Sequence, residues 1–129
     1  MRWLFALGVV VMCLNTSSAR DRYSEEQLRL AAHIGAVIAL VKRCGIVEMP
    51  TREIQAAMRA EGLRDRDLSD TTTAFHKRVV QQTEAVALWN AVLRHNGSSE
   101  VLVSAESCRK LVEMFGPRGW VRAELVPVR

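Results

Sequence analysis

The stretch from Glu25 to Gly45, EEQLRLAAHIGAVIALVKRCG, constrains this chain more than any other. Ser24 followed by Gln27 is the S-x-x-Q form of a capping box, which satisfies two orphan amides at a helix start. Glu25 and Glu26 occupy the first turn and Lys42 and Arg43 the last, each matched to the helix dipole. Gly45 supplies the left-handed residue that ends a helix. Between these signals Leu30 to Val41 is apolar except for His33 and Gly35. A helix that is apolar on nearly every side belongs in a core, because a surface helix keeps a polar face. A membrane span needs ~20 apolar residues, and this run has twelve. The chain is therefore expected to build around a buried helix over 25–44.

Residues 1–19, MRWLFALGVVVMCLNTSSA, have the layout of a secretory signal peptide. Arg2 is the positive end, Trp3 to Leu14 the apolar stretch, and Ser17-Ser18-Ala19 the small-residue site, so cleavage is expected after Ala19. Residues 20–129 then form a single domain, exported to the periplasm or beyond it. Removing the leader takes away one Arg and leaves 17 Lys and Arg against 14 Asp and Glu, a net charge of +3. The charges alternate in sign along the chain, which describes a solvated surface and not a nucleic-acid-binding tail.

Cys13 leaves with the leader, so two cysteines remain, Cys44 and Cys108. An even number in an exported chain implies a disulfide. It would close a loop of about 65 residues, worth ~4 kcal/mol on the chain-entropy estimate. No C-x-x-C spacing accompanies them, so redox chemistry is not indicated.

Three more helices are expected. Thr51 reads as an N-cap for a helix over 52–61, with Ile54, Ala57 and Met58 on its apolar side and Gly62 at its end. Asp65, Asp67 and Ser69 imitate the start of a calcium loop. That loop needs Gly where Asp70 stands and Glu where His76 stands, so capping explains them better. A long helix over 69–95 carries Leu68, Thr72, Phe75, Val79, Gln82, Val86, Trp89 and Leu93 on one stripe, which puts the Trp89 ring in the core. Gln82 and Thr72 interrupt that seam and mark where it is only partly covered. The last helix, 99–115, is expected to face inward through Val101, Ala105, Cys108, Val112 and Phe115. Gly116-Pro117-Arg118-Gly119 breaks the chain. The tail over 116–129 then lies back across the bundle, anchored by Trp120, Val121 and Leu125, and Pro127 keeps it out of any paired central strand.

The fold class is thus all-α: a small four-helix domain with one disulfide, Cys44–Cys108, and an extended C-terminal tail. This layout resembles that of the small disulfide-tied helical proteins of the bacterial periplasm, such as acid-stress chaperones and effector-immunity proteins. The likeness is of layout alone, and no functional residue is carried over by it.

Motifs for catalysis are missing from the sequence. There is no glycine-rich phosphate loop, no G-x-S-x-G elbow and no H-E-x-x-H. His33, His76 and His95 have neither the mutual spacing nor the neighbours of metal ligands, so no metal and no cofactor is expected. His33 sits in the most apolar part of the first helix; buried, it would resist protonation, and acid would loosen the bundle. Trp120, flanked by Arg118 and Arg122 after the Gly-Pro-Arg-Gly break, has the composition favoured at interface centres. The expected function is an interaction or inhibitor-type module with a protein partner, no nucleic acid, and no membrane span once the leader is gone. An acid-stress, holdase-like chaperone and a small carboxylate-dependent hydrolase are the alternatives.

Overall fold

The computed structural model describes residues 22–97 and 99–127, the side chains of residues 94 and 95 excepted. The expected leader over 1–19 lies outside the described residues. Among the described residues five helices follow one another: α1 Glu25–Cys44, α2 Thr51–Ala60, α3 Asp65–Ser69, α4 Ala74–His95 and α5 Glu100–Phe115. The described residues are all-helical, and among them no helix is long and apolar enough to cross a membrane.

α1 forms as its end signals require. The Ser24 hydroxyl accepts from the Gln27 amide, and the Gln27 side chain accepts from the Ser24 amide in return. Gly45 closes the helix at φ 78° with its N–H on the Val41 carbonyl. Leu30, Ile34, Val37, Leu40 and Val41 are buried, so this helix is the axis of the core.

The other helices run alternately down and up around it. α2 and α3 together make one descending leg. Ile54 and Met58 pack on the core, and at the far end the Gln27 amide group donates to the Glu61 carbonyl (2.9 Å) while the Tyr23 hydroxyl donates to Asp67 (2.7 Å). α4 then climbs parallel to α1, starting with Phe75 against Tyr23 at 5.8 Å between ring centroids. α5 descends antiparallel to α1, which brings Phe115 to His33 (5.9 Å) and Cys108 to Cys44. The result is an up-down-up-down bundle with α1 in the middle. α4 and α5 flank α1 and barely meet each other.

Two departures from the sequence reading have local causes. The helix expected over 69–95 starts late, at Ala74, and the stretch before it forms the separate short α3 over 65–69. Asp70 accepts from both the amide and the hydroxyl of Thr72, a turn that competes with helix. The cap of α4 is Thr73, whose hydroxyl accepts from the His76 amide. Thr51, expected as the cap of the second helix, is instead its first residue, with Pro50 before it.

The face of α5 is also rotated from expectation. Val103, Ser107, Leu111 and Phe115 point inward, whereas Val101 and Ala105 are exposed and Cys108 and Val112 are half-buried. Ser107 escaped notice as a core residue because it is polar. It is tolerated there because its hydroxyl donates to the Val103 carbonyl one turn back (2.8 Å).

Two close approaches fix the geometry. At Gly35 a Cβ would collide with the Val79 carbonyl oxygen and come within 2.8 Å of the Gln82 Cβ. The Thr83 hydroxyl donates to the Gly35 carbonyl (3.1 Å) at the same crossing, so α1 and α4 touch backbone to side chain there. The tail folds tightly under the end of α5. Its amides at Trp120, Val121, Arg122, Glu124, Leu125 and Val126 donate to carbonyls of residues 113–116, which a helix end leaves without partners. Glu124 takes a positive φ of 64° to make that turn. Leu125 and Val126 are the buried anchors; Trp120, expected as one, is not.

Candidate functional site

Three places on this bundle could do something besides hold it together. The first is the tail and the histidine beneath it. Arg122 is half-buried and its Nε–H donates to His33 Nδ1 at 3.0 Å. A ring nitrogen that accepts is unprotonated, so the His33 proton sits on Nε2 and the ring is neutral. Burial is the chief cause that pushes the His33 pKa below its ordinary value; the cations Arg122 and Arg29 push it the same way, and Glu26 opposes them.

Trp120 is 76% exposed, although its backbone is clamped to Glu113. Arg118 is exposed as well. The trio Arg118, Trp120 and Arg122 is therefore divided: two side chains lie at the surface and the third turns inward onto His33.

The second place is the upper half of the α4–α5 hairpin. Leu88 is 67% exposed, Trp89 54%, Val101 77% and Leu102 64%. Beside them a cleft of about 250 Å³ opens between α4 and α5 above α1, with Leu40, Val86, Trp89, Val103 and Met114 in its walls and Glu106 and Lys110 at its edge. The sequence reading put Trp89 in the core and missed this surface. Its signal was present: Ala87, Leu88, Trp89, Val92 and Leu93 are apolar on more sides of the helix than α1 alone can cover.

The third is a shallower cleft of about 330 Å³ between α1 and α4, with Ala39, Ala87 and Ala91 as its floor and Lys42, Arg43, Thr83 and Asn90 as its polar groups. Arg43 lies 3.1 Å from Glu100. Its Nε and Nη2 are shut off from solvent without an aligned hydrogen bond, so the guanidinium is engaged by charge with α5 and not turned out toward a ligand.

Cys44 and Cys108 form the disulfide, with Cα atoms 4.8 Å apart. It ties the upper end of α1 to the middle of α5, next to the Arg43–Glu100 pair. Several acidic groups are engaged locally. Arg109 bonds both oxygens of Glu106 and also reaches Glu113 (2.6 Å); this holds the Glu106 carboxyl below its usual range. Thr72 does the same for Asp70. His76 Nδ1 donates to the Leu68 carbonyl (2.6 Å), a cap at the end of α3. Among the described residues no group of three or more His, Cys, Asp or Glu is placed to hold a metal ion.

Comparison with known proteins adds nothing to this geometry: no protein family, no curated protein and no solved structure matches the chain.

Proposed function

We propose that the chain is an exported protein-binding module of the cell envelope, which engages a protein partner through the Trp120 end of the bundle. The observation that carries this reading is the position of Trp120. A large ring is left in water while six backbone hydrogen bonds hold the segment that bears it. Ordering a loop is part of what association costs, and here it is ordered in advance. An exposed tryptophan beside an exposed arginine, Arg118, is the composition of an interface centre. Export is supported by the leader-like residues 1–19 and by the Cys44–Cys108 bridge, since disulfides persist in oxidising compartments.

The test is crosslinking in the intact envelope from Trp120→p-benzoylphenylalanine, with the same photoreactive residue at the exposed Glu84 as control. One discrete adduct from position 120, absent from position 84 and competed away by unmodified protein, is the expected outcome. Background labelling alone from position 120 rejects the reading.

An acid-responsive, holdase-like role is the second reading, favoured by the neutral His33 under the tail and by the exposed apolar strip of the hairpin. It predicts that binding of an apolar dye rises as pH is lowered. A flat titration removes it. The carboxylate hydrolase has no comparable support: Glu106 is the one acid at the apolar cleft, and Arg109 occupies both of its oxygens.

A further inference from the structure

Along α5, Glu106, Lys110 and Met114 border the apolar cleft at every fourth residue, and the exposed Leu102 continues the same row one turn earlier. Residues four apart form a continuous ridge on a helix, and such ridges pack alongside one another in the commonest class of helix crossing. This ridge reads apolar, acidic, basic, apolar. Reversed, it presents its own complement. We propose that the ridge is a self-recognition surface and that the protein pairs with a second copy of itself through antiparallel α5 helices.

The register follows from the chemistry. With the two-fold axis at residue 108, Glu106 faces Lys110 of the partner subunit and Leu102 faces Met114 of the partner subunit, and each contact occurs twice. A two-fold interface demands this property, that one patch complement itself. Any shift by one turn sets Glu against Glu, Lys against Lys, or a charge against Leu102 or Met114. The ridge spans about 18 Å of helix, and the exposed Leu88, Trp89 and Val101 extend its apolar surface on both sides of the cleft.

Within one copy Lys110 makes no hydrogen bond or ion pair with a described residue. Glu106 is held by Arg109 on the same helix, and an ionised carboxylate has lone pairs for a second cation. Trp120 takes no part in the pairing, so this inference and the proposed partner-binding face stand or fall separately.

The test is sedimentation of the purified, oxidised chain across the micromolar range, for the unmodified protein, Glu106→Lys, Lys110→Glu, and an equimolar mixture of the two variants. The unmodified chain is expected to pair. Each variant alone sets like charges opposite each other twice, and its dissociation constant is expected to rise at least about tenfold. In the mixture, one copy carries two lysines and the other two glutamates, so pairing returns as a one-to-one heterodimer. A purely intrahelical role, such as loss of the Arg109 contact, would not be repaired by mixing. Should either charge variant fail to fold, Leu102→Arg, at a largely exposed position, is expected to give a folded monomer. An unmodified chain that stays monomeric throughout, or folded variants that do not pair on mixing, overturns the proposal; so does a folded Leu102→Arg that pairs as tightly as the unmodified chain.

Discussion

The upper half of α4, 85–95, carries twice as many apolar residues as the lower half, 74–84, yet it is the less buried of the two. In the lower half, Phe75 and Val79 are buried between Tyr23 and α1, with the tail's Leu125 and Val126 completing the same core. In the upper half, Leu88, Trp89 and Val92 meet water. The difference lies in what surrounds α1. At the lower end α2, α3, α4, α5 and the tail all converge on it. At the upper end α2 starts beside Ile38 and Lys42 of α1, and Leu88, Trp89 and Val92 of α4 are left exposed. A contiguous apolar patch of this kind promotes association, which is the basis of the self-pairing proposed above.

The largest effect should separate the two halves directly. Phe75→Ala is expected to cost about 3–5 kcal/mol, since it empties a fully buried site. Trp89→Ala removes a larger ring from a half-exposed position and should cost about 1 kcal/mol or less. Urea unfolding of both variants checks the ratio; equal losses would mean that the halves are equally packed. Reduction of Cys44–Cys108 comes next, with a loss of up to about 4 kcal/mol from the freed loop. Because the bridge holds the upper half, amide exchange should accelerate first across the start of α5, near Glu100 to Val103. Uniform acceleration through Phe75 would place the bridge in the closed half instead. Gly35→Ala, at the crossing of α1 with α4, is expected to cost about 1–3 kcal/mol through forced separation of the two helices. Calorimetry measures it, and a neutral result would mean that the crossing yields without strain.

The same division explains what the sequence could reveal. α1 was legible residue by residue, because its capping box, its charged ends and Gly45 are all local signals that no distant contact overrides. The disulfide was legible from the arithmetic of the two cysteines that follow the leader-like stretch over 1–19. The turn at Asp70 was harder, since a stripe through Leu68, Thr72 and Phe75 continues smoothly across it. Only the hydrogen bonds of Asp70 and Thr73 break the helix there. The upper surface could not be read from the single stripe through Val86, Trp89 and Leu93, although the apolar residues beside that stripe carried its signal. An apolar stripe records which residues are able to be buried; whether a neighbour exists to bury them depends on how the other helices are arranged around α1. Ser107 failed in the opposite sense, as a polar residue buried through a bond to its own helix. Trp120 had the right sequence context for an exposed ring, while the inward turn of Arg122 depends on His33, 89 residues earlier.

The smallest effect expected is that of acid on the closed half, and its direction is fixed by His33. Its folded pKa lies below the ordinary value of 6.5, first through burial and then through Arg122 and Arg29. The unfolded chain therefore binds a proton on this ring more readily than the folded one. The stabilising contribution is complete above about pH 6.5, declines as pH drops from there toward the lowered folded value, and declines no further below it. Protonation of Nδ1 also removes the acceptor for Arg122 and sets two cations 3.0 Å apart, under the tail that carries Trp120. His33→Gln keeps an acceptor without the charge, so its melting temperature should be level between about pH 5 and 7, where that of the unmodified chain declines. Asp70 and Glu106 do not confuse the comparison, because their lowered pKa values confine their losses to more acid solution. If both proteins decline in parallel over that range, another group is responsible and the tail is not held by a neutral His33. If the unmodified chain alone declines while its upper surface exchanges amides at an unchanged rate, acid acts on the closed half without opening the exposed one, and the two halves are energetically as well as structurally distinct.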